Sequence, residues 1–203
     1  MTPPSVQLLT TRVAAGRPTI VLRSLDSQSG VDPVSLTVGY HGILVGAASY
    51  DPVTGVAVFP LPATAPALES GAVKLRFVSS DYQEAKNIDT VGPSIMPNTR
   101  FAQASVTVVA GTAVDWIAPV ANACLEQQQR LVVAASSTRH VSLVRFTLDG
   151  RRVAVVRHAS SGLWSANVPA SKLAKGRHTL RAVASDSKGA MASARRIVRV
   201  CHK

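Results

Sequence analysis

Three carboxylate residues lie close together in the stretch DYQEAKNID, and carboxylate oxygens are ligands that Ca²⁺ prefers. They are Asp81, Glu84 and Asp89. Their spacing lacks the regular alternate-ligand pattern of a dedicated calcium loop. A calcium site is therefore one interpretation, and a binding loop that projects from the end of the module is another. The third is a turn-rich loop over 81–100, with or without a short helix at 83–87, that only covers the end of its module or a neighbour. No other cofactor is expected.

Arginine is concentrated in the second half of the chain. Residues 1–118 contain seven Lys and Arg against eight Asp and Glu, a net charge of −1, whereas residues 119–203 contain fifteen against three, a net charge of +12. Side chains alternate between the two faces of a strand. That period predicts outward positions for Arg145, Arg181, Arg195 and Arg199. It also predicts an inward position for Arg196, which needs a bulge or an edge strand to be tolerated.

Catalytic motifs are absent from the sequence. It contains no Gly-x-Ser-x-Gly, no His-Glu-x-x-His and no glycine-rich phosphate loop. Cys201 precedes His202, but neighbours in a strand point to opposite faces, so the two make a poor nucleophile and base. The five histidines are scattered, and we interpret His178 as a packing residue. The chain is predicted not to be an enzyme.

Alternating apolar and polar residues predict antiparallel strands that would position these side chains. The segment 140–190 has the pattern of a continuous meander, and its Asp-Gly pair at 149–150 is a strong hairpin signal. A further turn is predicted at Ser-Ser-Gly, 160–162. In the first half, a hairpin turn is predicted at His-Gly, 41–42.

The second half resembles a known family. The succession of "V..V.F..DG..V", "G.W.A.VP", "L..G.HTL.A.A.D..G" and a last Val-rich strand, between Asp115 and Cys201, is similar to bacterial immunoglobulin-like domains. The resemblance implies an antiparallel β-sandwich. It also implies a module of a secreted or surface protein, commonly an appendage of an adhesin or of an extracellular hydrolase.

The first half contains a looser copy of the same pattern. PALESGAVKLRFVSSD matches PASKLAKGRHTLRAVASD, and the final aspartates of the two stretches, Asp81 and Asp186, are about 105 residues apart, as expected for sandwiches of roughly 100 residues. We therefore predict two tandem immunoglobulin-like sandwiches, residues 1–112 and 113–203, with a short linker. Trp116 is expected either at their junction or as an ordinary residue of the second module's first strand.

In the immunoglobulin-like fold, the strands that carry the outward arginines share one sheet. The resemblance therefore implies that Arg145, Arg181, Arg195 and Arg199 gather on one outer face, which would attract wall-polymer phosphates, acidic glycans or an acidic domain of a parent protein. A merely solvated, arginine-rich surface is the alternative. Nucleic acid is disfavoured because no aromatic residues interleave with the arginines to stack on bases.

The two cysteines fit the same fold. The first and last strands of such a sandwich run side by side, so the resemblance implies that Cys124 and Cys201 can form a disulfide, and such a bridge would indicate an oxidising compartment. Two free thiols are the alternative interpretation. A metal site is disfavoured because two distant cysteines with only His202 nearby do not supply four ligands.

Composition agrees with thin sandwich cores. The chain has 203 residues, with 46% apolar, 16% charged and only 4% aromatic residues, so aliphatic side chains must fill the interior. No apolar run approaches the roughly 20 residues needed to span a bilayer. The N-terminus is not a signal peptide, and we expect a piece of a longer precursor. The predicted function is a non-catalytic extracellular spacer or binding region; the alternatives are an adhesin module for an anionic polymer and an accessory region of a secreted hydrolase.

Overall fold

The computed structural model describes residues 2–82, 98–171 and 173–201. Within these ranges the chain forms sixteen β-strands and one short 3₁₀ helix, Pro33–Ser35. The strands are β1 (Ser5–Leu8), β2 (Arg12–Ala14), β3 (Thr19–Leu25), β4 (Thr37–Tyr40), β5 (Ile43–Gly46), β6 (Ser49–Asp51), β7 (Val56–Pro60), β8 (Gly71–Ser80), β9 (Thr99–Val109), β10 (Thr112–Ala118), β11 (Gln128–Ser137), β12 (Val141–Leu148), β13 (Arg151–Val156), β14 (Leu163–Pro169), β15 (Gly176–Asp186) and β16 (Met191–Val200).

The first nine strands form two sheets that face each other across one apolar core. Their strand orders are β1-β3-β7-β6 and β2-β9-β8-β4-β5. The pairings are antiparallel except for β2 with β9, which is parallel. Leu22, Phe59 and Phe77 are among the fully buried side chains of this core. Inward positions on alternate residues supply these side chains, as the period of a strand requires.

The remaining seven strands form a second pair of sheets, with orders β10-β11-β14 and β13-β12-β15-β16. Trp116, Phe146 and Trp164 dominate the core between them. The rings of Trp116 and Phe146 lie 5.8 Å apart, and the indole N–H of Trp116 donates to the carbonyl of Ala194 at 3.2 Å. Trp116 is thus a core residue of the second module. The predicted fold, two tandem antiparallel immunoglobulin-like sandwiches, is confirmed.

The three predicted hairpin turns are also confirmed. His41 and Asp149 each have a φ of 48° and are followed by glycines with φ near 80°, and Ser161 with Gly162 repeats this conformation. Both central residues of such a turn lie in the left-handed region, which matches the twist of the flanking strands. Gly tolerates this conformation without strain, and Asp does so better than most residues.

Asp81 and Asp186 occupy equivalent places at the ends of β8 and β15. The backbone N–H of Asp186 donates to Ala190 O at 2.9 Å, and its carboxylate accepts from the N–H groups of Lys188 and Ala190, both at 2.9 Å. The N–H of Asp81 donates to Asn98 O at 3.1 Å, and its carboxylate accepts from the backbone and side-chain nitrogens of Asn98, both at 2.7 Å. Each aspartate closes the connection to the following strand.

The two modules pack side by side along β3 of the first and β10, β11 and β14 of the second. A separate apolar cluster fills this junction, and Val21 at its centre has 0% exposure. The other buried or half-buried members are Leu9, Val56, Ile117, Ala118, Val132, Ala134 and Leu163. Burial of this surface favours one fixed arrangement of the modules.

Polar contacts border the apolar cluster. The carboxylate of Asp115 accepts from the backbone N–H of Arg12 at 2.8 Å and from the hydroxyl of Thr11 at 3.3 Å. Ser136 Oγ accepts from the N–H of Ala14 at 2.8 Å. Together with the short connection between β9 and β10, these bonds fix the orientation of one module on the other.

Candidate anion-binding face

Strand register places the predicted arginines on the outer face of the sheet β13-β12-β15-β16. Arg181 on β15 lies directly opposite Arg195 on β16, and it lies opposite Thr147 on its other side. Arg145, two residues before Thr147, lies in the adjacent row, opposite Val183. All three arginines are exposed, because the intervening residues of each strand point into the core.

These three arginines surround a depression of about 640 Å³ on the sheet. Arg181 donates to the hydroxyl of Ser193 at 3.3 Å, which orients its guanidinium across β16. Residues that line the depression between the arginines include Thr147, Thr179, Val183 and Ser193. Neighbouring strands are about 4.8 Å apart, so the arginines on β12 and β16 stand about 10 Å apart. Such a spacing suits a ligand with several anionic groups in a line.

Acidic residues do not neutralise this face within the described part of the chain. The second module's carboxylates include Asp149 and Asp186, and each is engaged at a turn. Asp186 lies 3.6 Å from Arg139, and Asp149 pairs with His178. The described ion pairs involve none of the three arginines, so their charges remain available to an anion.

The fourth predicted arginine, Arg199, lies on the same face but further along β16. It is opposite Arg177 and separated from Arg195 by the row that contains Ile197. Arg152 was not predicted. The two-residue Asp149–Gly150 turn pairs Leu148 with Arg151 and Thr147 with Arg152, so Arg152 lies in the same row as Arg181 and Arg195. Because a two-residue hairpin loop fixes the register of its strands, the Asp-Gly pair is a signal that could have found Arg152.

Arg196 points away from this face, as its position in the strand predicts. β16 is an edge strand, so the side chain passes into the crevice between the modules and donates to the carbonyl of Trp116 at 2.9 Å. Burial is the main cause that lowers the pKa of Arg196; Asp115 opposes the shift and Arg23 adds to it. The pKa of Asp115 is raised, mainly by burial. The edge position is what accommodates this inward arginine.

His178 forms a hydrogen-bonded pair with Asp149 beside the depression. Its Nδ1 lies 2.6 Å from Asp149 Oδ2, and its Nε2 lies 2.8 Å from the carbonyl of Ala174. Because both ring nitrogens face acceptors, the doubly protonated imidazolium fits best. The pKa of His178 is raised, foremost by the hydrogen bond to Asp149. Burial acts to raise the pKa of Asp149, but hydrogen bonds from Thr179 and His178 outweigh it and the pKa is lowered.

The free energy of unfolding is expected to fall as pH rises through the folded-state pKa of His178. Because the folded-state pKa is raised, the stabilising contribution of His178 is fully present below the unfolded-state pKa of about 6.5. It is lost as pH rises from that value through the folded-state pKa. The loss is about 1 kcal/mol, since Asp149 is half-exposed. Denaturant titrations between about pH 6 and pH 9 measure it. His178→Gln and Asp149→Asn should both flatten the profile; an unchanged profile in either variant would contradict the assignment.

Cys124 and Cys201 form a disulfide with Cα atoms 5.6 Å apart, so the predicted bridge is confirmed. Residues beside Cys124 run along the edge of β16: Asn122 donates to Ile197 O at 2.8 Å, and Leu125 donates to Arg199 O at 2.7 Å. The bridge thus holds the connection between β10 and β11 against the last strand.

For the predicted calcium loop, the structure describes only one of the three carboxylates. Both Asp81 oxygens accept hydrogen bonds from Asn98, while Glu84, Asp89 and the possible helix over 83–87 lie outside the described residues. Within residues 2–82, 98–171 and 173–201, no three or more His, Cys, Asp or Glu side chains are grouped so as to hold a metal ion.

Comparison with known families agrees with this architecture. Residues 112–182, which make up most of the second module, match the bacterial Ig domain family, so this part of the chain is similar to bacterial immunoglobulin-like domains. Modules of this family are typically non-catalytic and usually occur in extracellular or surface proteins. No curated protein matches the sequence. Among the described residues, no helix is long and apolar enough to cross a membrane.

Solved structures match the chain at low sequence identity. Dimeric latent PorU from Porphyromonas gingivalis is 18% identical with a TM-score of 0.52; the match covers 98% of this chain and 20% of that chain. The fibronectin(III)-like modules of Clostridium thermocellum CbhA are 18% identical with a TM-score of 0.37, covering 97% and 94%. SGBP-B of Bacteroides ovatus, solved with a mixed-linkage heptasaccharide, is 14% identical with a TM-score of 0.38, covering 95% and 44%.

Proposed function

We propose that this chain is a non-catalytic extracellular region of a larger secreted or surface protein, and that its second module binds a linear polyanion such as an acidic glycan or wall polymer. The proposal rests on the grouping of Arg145, Arg181 and Arg195 around one depression. None of these three side chains forms an ion pair with a described residue. Guanidinium groups form paired, charge-assisted hydrogen bonds with carboxylates, sulfates and phosphates.

A polymer fits this face better than a single small anion does. The three guanidinium groups belong to three different strands and are spread over about 10 Å. Hydroxyl groups of Thr147 and Ser193 lie among them and offer hydrogen bonds to sugar or phosphate oxygens. No tight pocket encloses one ion, so affinity has to come from several contacts along a chain.

A second candidate function is that of an accessory spacer. The apolar junction around Val21 and the hydrogen bonds to Asp115 favour a fixed arrangement of the two modules. A stiff pair of modules is suited to holding neighbouring domains of a parent protein at a set distance. The two functions are compatible, because the arginine face lies on the opposite sheet of the second module from the junction.

Arg181→Ser is expected to weaken binding of an acidic polysaccharide about tenfold at low salt, because one charge-assisted contact is lost. The dependence of affinity on salt should also become shallower, since fewer counterions are released. Calorimetric titration with polygalacturonate at two salt concentrations measures both effects.

Arg76→Ser is the matched control, since it removes the same charge from an exposed position on the first module. Its affinity should stay close to that of the unmodified chain. Equal weakening by both substitutions would indicate nonspecific attraction to net charge. If the unmodified chain does not bind the polymer, the accessory spacer is the remaining candidate function.

A further inference from the structure

The arginine face does not end at the edge of its sheet. Arg195 lines the depression on the face and also a second depression, of about 580 Å³, beside the edge strand β16. Arg177 and Arg196 line this second depression. Arg196 also lines a third, of about 370 Å³, between the modules. The three depressions are therefore neighbours around β16, and each has at least one arginine in common with the next.

Arg196, which lines both the second and the third depression, supplies a hydrogen-bond donor. One terminal nitrogen of its guanidinium is bound to the carbonyl of Trp116. Its Nε is buried and has no hydrogen-bond partner among the described residues. A buried donor without a partner is costly, and an anionic oxygen is the acceptor that would satisfy this donor best.

The first module contributes an arginine to the depression between the modules. Arg23 on β3 lines the junction depression together with Arg196. It lies on the same side of β3 as Val21, which packs against the second module, so strand alternation directs Arg23 toward that module as well. No ion pair of Arg23 occurs among the described residues. Two like charges across a crevice favour an anion between them.

We propose that a linear polyanion continues from the face around Arg181 and Arg195, over the edge strand β16, into the junction between Arg196 and Arg23, and so contacts both modules. This inference rests on the proposed function and extends it to a longer ligand. Asp115 is the acidic residue among those lining this path. Its Oδ2 already accepts hydrogen bonds from Thr11 and from the backbone N–H of Arg12. The junction therefore contains two positive charges, on Arg23 and Arg196, against one negative charge.

Oligogalacturonates of two lengths test the path: one that spans only the face, about 10 Å, and one several times longer. Arg23→Gln keeps the aliphatic stem but removes the charge. It is expected to weaken the long oligomer about fivefold to tenfold and to leave the short one unchanged. Arg181→Ser should weaken both. Arg23→Lys, which retains the charge, should preserve most of the affinity for the long oligomer.

Arg76→Ser provides the charge-matched control, and small-angle X-ray scattering verifies that the Arg23 variants keep the arrangement of the modules. If Arg23→Gln binds the long oligomer as Arg76→Ser does, the extended path is wrong while the face around Arg181 stands. If Arg181→Ser also has no effect on either oligomer, both the path and the proposed function are wrong.

Discussion

Val21→Asp is expected to separate the two modules. Val21 has 0% exposure and lies in the apolar cluster between them rather than in the core of the first module. A carboxylate in that cluster is desolvated without a partner, which costs on the order of 3 kcal/mol or more. Its sequence neighbours Ile20 and Leu22 point into the first module's core, so the sandwich itself should persist.

Small-angle X-ray scattering should show a larger radius of gyration for this variant. Calorimetry is expected to show one thermal transition for the parent and two for the variant, because the modules of the variant no longer unfold together. Leu25→Asp is the matched control: Leu25 lies on the same strand and the same side as Val21 but is 42% exposed. A compact Val21→Asp variant with a single transition would contradict the importance of the apolar junction.

Reduction of the Cys124–Cys201 disulfide is expected to lower the free energy of unfolding of the second module by about 2–4 kcal/mol. The bridge joins residues that are 77 positions apart, and a long closed loop restricts the unfolded chain more than a short one does. Loss of the disulfide should also weaken the attachment of the 122–125 segment to the edge of β16, where backbone hydrogen bonds hold it.

Guanidinium denaturation with and without a reducing agent measures this loss. The Cys124→Ser/Cys201→Ser double variant is the control, since its unfolding midpoint should match the reduced parent and should not respond to the reducing agent. If reduction leaves the parent's midpoint unchanged, the bridge does not stabilise the native module. A bridge found in the protein isolated from its source would support the proposed extracellular location.

Much of the fold could be predicted because the signals for it are local. The Asp-Gly pair at 149–150 requires a left-handed turn that few other residue pairs adopt readily, and alternation in the flanking strands assigns each side chain to a face. The same alternation predicted exposed positions for Arg145 and Arg181 and an inward position for Arg196. The disulfide followed from the resemblance to immunoglobulin-like domains, which places the two cysteine-bearing segments side by side.

The apolar residues that form the junction were not predicted, although a signal for them exists. β3, β10 and β11 contain nearly continuous apolar runs, TIVL, AVDWIA and LVVAA. Such runs are typical of strands buried on both faces. From the sequence alone, an apolar residue in a junction cannot be told from one in a core, because the difference depends on which strands face each other.

The sequence by itself determined the class of fold, the hairpin turns and the strong positive charge of the second module, since each depends on local patterns and composition. Only the tertiary structure decided which arginines meet between the modules. Packing of the modules brought Arg23 and Arg196 to one crevice although they are far apart in the chain. Such proximity depends on register and on contacts between modules, which neighbouring residues do not encode.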